Sequence, residues 1–242
     1  MSDAADASAD LSGAVPAGED HGWLADRFEA RPVVAQETVF EGMVWDVVSE
    51  TVDLGEAGEV TRQFVRHPGA VAVAALDDEG RIALVQQYRH PVRMFEWEVP
   101  AGLLDVDGEA PHVGAARELH EEADLVADTW HVLVDYVSSP GGIDEALRIY
   151  LARDLSPVPH ADRHTRDGEE LGMPLRWVPL EEVRDAFLAG RVHNAALGIA
   201  ALSALASRDQ GWATLRPVDA PWPIHRSHRD DDHDHGAHHR GS

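Results

Sequence analysis

The chain has 242 residues, 44% of them hydrophobic, enough for one domain of ordinary size plus terminal segments or for two small domains. Its formal net charge of −24 excludes a nonspecific nucleic-acid-binding surface and an electrostatic anchor to anionic membranes. With no cysteine, and arginine as its only basic residue besides histidine, it has no disulfide, thiol nucleophile or lysine Schiff base, which suits a cytoplasmic location.

Residues 1–20 hold five acids, no arginine and many small residues. They read as a disordered acidic leader, and without a basic n-region or long apolar stretch they are not a secretory signal. A β-rich N-terminal arm is expected over 21–66, with strands at 37–40 and 43–51 turning at Glu41-Gly42 and a weakly alternating third at 60–66. Phe40 and Trp45, taken singly, are expected to pack in a core. Apolar runs at 70–76 and 82–88 flank the turn Asp77-Asp78-Glu79-Gly80. A short strand at 95–99 runs into a tight loop at Pro100-Ala101-Gly102.

Residues 111–123 read as a helix with Pro111 in its first turn. Strands at 130–137 and 146–152 surround the loop Ser138-Ser139-Pro140-Gly141-Gly142, and a further strand at 175–178 precedes helices at 180–189 and 195–207. The main domain is expected over 67–215. The segment 216–242 ends in a disordered tail from 225 onward, with six His, four Asp, three Arg and no large apolar side chain. There is no internal repeat, dinucleotide fingerprint, P-loop or nucleophile elbow.

The chemistry is concentrated in the helix. On a helix each residue advances about 100°, so Glu118, Glu121 and Glu122 fall within one sector of roughly 100°. Like charges so spaced repel, and a plain surface helix gains nothing from them. Oxygen ligands aimed at one point suit a hard divalent cation. Gly102, Glu109, Arg117-Glu118-Leu119, Glu121-Glu122 and Leu125 resemble the Nudix box, G-x5-E-x7-R-E-U-x-E-E-x-G-U with U a bulky aliphatic. Two departures stand out: six residues separate Gly102 from Glu109, and Asp124 replaces the final glycine. The extra residue lies in the loop before the helix. If Asp124 holds positive φ at the helix end, Asp124→Gly is expected to raise stability by a few tenths to about 1 kcal/mol.

The stretches Gln87-Tyr88-Arg89-His90-Pro91 and Trp97-Glu98-Val99-Pro100-Ala101-Gly102, with Pro140 standing 15 residues past Leu125, resemble the ADP-ribose pyrophosphatase branch of Nudix hydrolases in its actinobacterial form. The resemblance implies an α/β class fold, a Nudix α/β/α sandwich of mixed sheet and helices with an N-terminal β-rich dimerisation arm, and hence a homodimer. It implies hydrolysis of ADP-ribose to AMP and ribose 5-phosphate with two to three Mg²⁺ or Mn²⁺ ions. Glu118, Glu121 and Glu122, with the Ala101 carbonyl, are the implied metal ligands, and Arg117 orients the glutamates. Arg89, Glu98, Arg62 and Pro140 are the implied substrate contacts. Glu170, with Glu169 beside it, is the loop acid placed at the attacking water. The alternatives are a Nudix hydrolase for another nucleoside diphosphate sugar or dinucleotide, and a catalytically weak ADP-ribose-binding regulator.

Overall fold

A computed structural model describes residues 24–166 and 172–228. The chain groups into two compact units, residues 1–31 and 32–242. The described part of the first carries two ion pairs, from Arg27 and Arg31 to Glu29. All named elements belong to the second.

Ten strands and three α-helices are described: β1 Val33–Phe40, β2 Asp46–Asp53, β3 Glu59–Arg66, β4 Ala70–Ala75, β5 Arg81–Arg89, β6 Met94–Glu98, β7 Ala101–Leu103, α1 Pro111–Ala123, β8 Leu125–Val137, β9 Ala146–Pro157, β10 Leu175–Pro179, α2 Leu180–Leu188 and α3 Ala195–Asp209. They form three sheets, ordered β1-β2-β3, β10-β5-β6 and β7-β4-β9-β8. β4 and β9 run parallel, and β7 and β8 pair antiparallel at the two flanks of that sheet.

The buried strand β4 organises the layers. All six of its residues are buried, as expected of a strand covered on both faces. Ala70, Ala72 and Ala74 join the core formed with α2 and α3, whereas Val71, Val73 and Ala75 join the core formed with Ala115, Leu119 and Ala123 of α1. The period-2 alternation of one strand therefore builds both faces of an α/β/α sandwich. Small side chains let α3 lie close: Ala200, Ala201 and Ala204 are wholly buried, and a Cβ at Gly198 would overlap the Phe187 ring of α2.

Element boundaries follow local chemistry where it is strong. α1 has Pro111 at its start and ends at Asp124, which adopts φ 53° and ψ 38°. That left-handed residue reverses the chain directly into β8. β8 starts at 125 and not at the predicted 130, and β9 runs to 157 and not to 152. These extra ladders, such as Ala127↔Leu155 and Thr129↔Arg153, carry little apolar periodicity and were therefore invisible to it. Of the loop predicted at Pro100-Ala101-Gly102, the last two residues instead begin the short strand β7, held by pairing with β4.

The N-terminal sheet departs from expectation in its surface. Every residue of β1 is exposed. Phe40 is 63% exposed, Met43 97% and Trp45 45%, so neither aromatic is a core residue within one chain. The end of β3 is tied to the 138–145 loop, with Val65 N–H donating to Gly142 O at 2.9 Å and Asp144 N–H to Val65 O at 3.1 Å.

The C-terminal segment packs as far as its described residues go. Arg148, 2% exposed, donates to Asp135 Oδ1 at 2.7 Å and Oδ2 at 2.9 Å, and to the carbonyls of Ala220 and Pro221. Its guanidinium lies 4.8 Å from the ring centre of buried Trp222. His225, expected in the disordered tail, instead stacks on Trp222 at 4.7 Å and places Nε2 2.8 Å from Pro68 O. The leader at 1–20 and the tail from 229 lie outside the described residues.

Candidate active site

β7, the loop that follows it, and α1 together hold the acidic residues. Glu118 is 9% and Glu122 6% exposed, so two carboxylates of one helix face are buried. Burying a carboxylate without partners costs several kcal/mol, and each of these has them. Glu122 Oε2 accepts from Ala101 N–H at 3.0 Å. Glu118 Oε1 accepts from Arg117 Nη1 at 2.6 Å, and Glu121 Oε2 lies 3.4 Å from the same nitrogen.

Arg117 is also gripped from outside the helix. Glu109 accepts from its Nε at 3.2 Å and its Nη2 at 3.1 Å, a two-pronged carboxylate–guanidinium fork. Hydrogen bonding to Glu109 raises the Arg117 pKa above its ordinary value, and the nearby Glu118 charge adds to this. The residue added to the box loop is absorbed in a turn in which Glu109 N–H donates to Val106 O at 3.1 Å, with Gly108 at φ 75°. Glu109 thereby reaches Arg117 despite the shifted spacing.

Two glycines make room for this. A Cβ at Gly102 would overlap the Glu118 carboxylate, so the bare backbone is what lets that group approach β7. A Cβ at Gly114 would stand 2.8 Å from Glu109 Oε2.

Arg89 and Glu98, expected as separate substrate contacts, are partners in the structure. Arg89 Nε donates to Glu98 Oε1 at 2.8 Å and Nη2 to Oε2 at 2.7 Å, across the β5–β6 hairpin. Glu98 is buried, while the Arg89 side chain stays 40% exposed. Arg62 lies exposed in β3, its Nη1 donating to Thr61 O at 3.1 Å, and no described contact joins it to the acidic helix. Pro140 is exposed in the loop tied to β3. Glu169 and Glu170 lie outside the described residues.

Sequence reasoning missed two residues with direct contacts here. Glu109 carried a signal, being part of the motif, but its role as the anchor of Arg117 was not drawn from it. Arg166 carried no local signal. Its Nε donates to Glu121 O at 2.9 Å and its Nη2 to Glu122 O at 3.0 Å and Asp124 Oδ2 at 2.9 Å.

This corrects the expectation for Asp124. The positive φ is as foreseen, but the side chain is engaged by Arg166. Glycine relieves the left-handed strain and removes the ion pair, two opposing terms of about 1 kcal/mol each. Asp124→Gly is therefore expected to leave Tm within about 3 °C of the parent by calorimetry, not to raise it. A gain of 5 °C or more would show that the ion pair contributes nothing.

Oxygen-only donors on a single face fit a hard divalent cation. Three carboxylates, Glu109, Glu118 and Glu121, share the Arg117 guanidinium, an excess of negative charge that such a cation would offset. Among the described residues, no three acidic or histidine side chains stand as a preformed cation cage. The glutamates are instead gathered by Arg117 and the β7 backbone.

Comparison with known proteins gives the same direction. A family model of the NUDIX domain matches residues 65–197. The chain is 43% identical over 189 residues to an ADP-ribose pyrophosphatase of Mycobacterium tuberculosis, covering 78% of this chain and 89% of that protein. It is 42% identical over 123 residues to an ADP-ribose pyrophosphatase of Bacillus subtilis, covering 51% of this chain and 66% of the other. A solved structure of an ADP compounds hydrolase shares the fold with a TM-score of 0.63 at 21% identity, covering 77% of this chain and 99% of that one.

Proposed function

This chain belongs to the Nudix family, and from that membership we propose that it hydrolyses the diphosphate of ADP-ribose to AMP and ribose 5-phosphate. The observation that carries the chemistry is the seating of Glu118 and Glu122 against the backbone at Ala101–Gly102, with Glu121 sharing Arg117 Nη1 with Glu118. The substrate reading is supported by the extended likeness to the mycobacterial enzyme.

Glu118 and Glu122 would hold Mg²⁺ or Mn²⁺ directly, with Glu121 and the Ala101 carbonyl completing the set for two to three ions. When bound, these cations neutralise the diphosphate and make the attacking water more acidic. Arg117 orients Glu118 and Glu121, and Glu109 orients Arg117. Arg89, held by Glu98 with its side chain partly exposed, offers a guanidinium to the diphosphate. Glu170, or Glu169 beside it, takes the proton of the attacking water. The water oxygen bonds to one phosphorus, and the bridging oxygen leaves with the other.

The exposed apolar side chains of the N-terminal sheet, including Val33, Val39, Phe40 and Met43, support a homodimer built through that sheet. Sedimentation equilibrium is expected to give twice the chain mass, and a monomer at micromolar concentration would remove the dimer. No described helix is long and apolar enough to cross a membrane. The cysteine-free composition supports placement in the cytoplasm.

The test is product analysis with millimolar Mg²⁺ and ADP-ribose beside NADH, GDP-mannose, UDP-glucose and diadenosine polyphosphates. Metal-dependent AMP release from ADP-ribose in clear preference to the panel is the expected result. Preference for another member keeps the hydrolase chemistry and removes this substrate.

A further inference from the structure

We propose that Arg166 is a positioning residue for the metal-binding glutamates, fastening the two carbonyls at the end of α1 that lie beyond the backbone closure from Asp124 N–H to His120 O. The proposal rests on reading Glu121 and Glu122 as metal ligands.

The last carbonyls of an α-helix have no partner within the helix. At the end of α1 two of them, Glu121 O and Glu122 O, accept from one guanidinium, at 2.9 Å and 3.0 Å. The same guanidinium holds Asp124 Oδ2 at 2.9 Å. A further bond closes the far side, with Val158 N–H donating to Asp124 O at 2.8 Å. The end of α1 is thus tied both to Arg166 and to the residue that follows β9.

The chemistry favours arginine here. Its positive charge sits at the negative end of the helix dipole. Its flat fork presents donors to two successive carbonyls and a carboxylate together, which a single ammonium cannot do in fixed directions. The two carbonyls belong to the residues whose side chains face the site. A shift in this last turn moves Glu121 and Glu122 directly. Arg166 reaches them only through the backbone, so it touches neither substrate nor metal.

Asp124 and Arg166 form a matched pair in this account. With Arg166 gone, Asp124 keeps a partly buried carboxylate beside the negative helix end, and Oδ1 is buried without a hydrogen-bond partner even with Arg166 present. Glycine at 124 would remove that carboxylate and keep the left-handed turn in which the N–H of residue 124 donates to His120 O. The damage of Arg166→Ala should therefore be partly repaired by adding Asp124→Gly.

The experiment measures Mn²⁺ binding without substrate, by the electron paramagnetic resonance of free Mn²⁺, for the full chain and for R166A, R166K, R166A/D124G and E122Q. Steady-state kinetics with ADP-ribose and thermal unfolding accompany it. R166A is expected to weaken Mn²⁺ binding about 10-fold and to lower kcat by a similar factor. Its KM is expected to change less than about 3-fold, since Arg166 has no substrate contact. R166K should recover less than half of the lost affinity on a logarithmic scale, and R166A/D124G more than R166A.

Mn²⁺ affinity and kcat of R166A within twofold of the parent would overturn the proposal. If R166A fails to fold, R166K decides: parental Mn²⁺ affinity in that variant overturns the proposal equally. E122Q separates the two levels. If it binds Mn²⁺ as the parent does, the metal-site reading falls. If it loses Mn²⁺ while R166A keeps it, only the role of Arg166 falls.

Discussion

Glu122→Gln is expected to lower kcat for ADP-ribose by at least about 10³-fold while leaving the fold intact. The amide is nearly isosteric, and its oxygen can still accept from Ala101 N–H, which Glu122 holds at 3.0 Å. What disappears is a full negative charge on a side chain only 6% exposed. A metal-bearing carboxylate supplies several kcal/mol of transition-state stabilisation, and about 4 kcal/mol corresponds to 10³-fold in rate. Because the buried charge is lost along with its desolvation cost, thermal stability should hold or rise slightly. The decisive comparison is kcat against Tm in the same preparation. Near-parental turnover by a folded variant would remove Glu122 from the metal site, and with it the reading of the helix face.

Gly102→Ala is expected to separate activity from stability in the same way, by steric means. The added Cβ would overlap the Glu118 carboxylate, the far end of a flexible side chain and not a piece of backbone. Glu118 can swing aside at modest cost to the fold, of order 1 kcal/mol. It then leaves the position in which Arg117 Nη1 holds it at 2.6 Å. Displacing a reacting or ligating group by about 1 Å costs on the order of 10²-fold in rate, and kcat should fall by that factor. The reading is lost if the folded alanine variant turns over within threefold of the parent. A collapse of Tm by more than about 10 °C would place the requirement for glycine in the backbone of β7 instead.

Both predictions turn on α1, the element most legible in sequence. Pro111 marked its start, and Asp124 its end, because both act through their own backbone dihedrals. The sector of Glu118, Glu121 and Glu122 followed from helical periodicity alone. The buried strand β4 was legible for a similar reason, as a short apolar run between turn residues. The first half of β8 and the end of β9 were not, since their pairing is mutual and carries little apolar pattern in either strand. Phe40 and Trp45 are exposed against the expectation of a core, because hydrophobicity shows what should be covered, not whether the same chain covers it.

The sequence by itself determined the kind of chemistry this protein can do. A set of carboxylates on one helix face, an arginine among it, no cysteine and a strongly negative charge are properties of residue type and near spacing, which the 3.6-residue turn converts into geometry without help from the rest of the chain. The tertiary structure alone decided how that face is held. Glu109 meets Arg117 across a lengthened loop, Arg89 meets Glu98 across a hairpin, and Arg166 reaches back more than forty residues to the carbonyls of Glu121 and Glu122. Such pairings depend on loop closure and on which surfaces pack together, and those are settled by the whole core and not by any local run of residues.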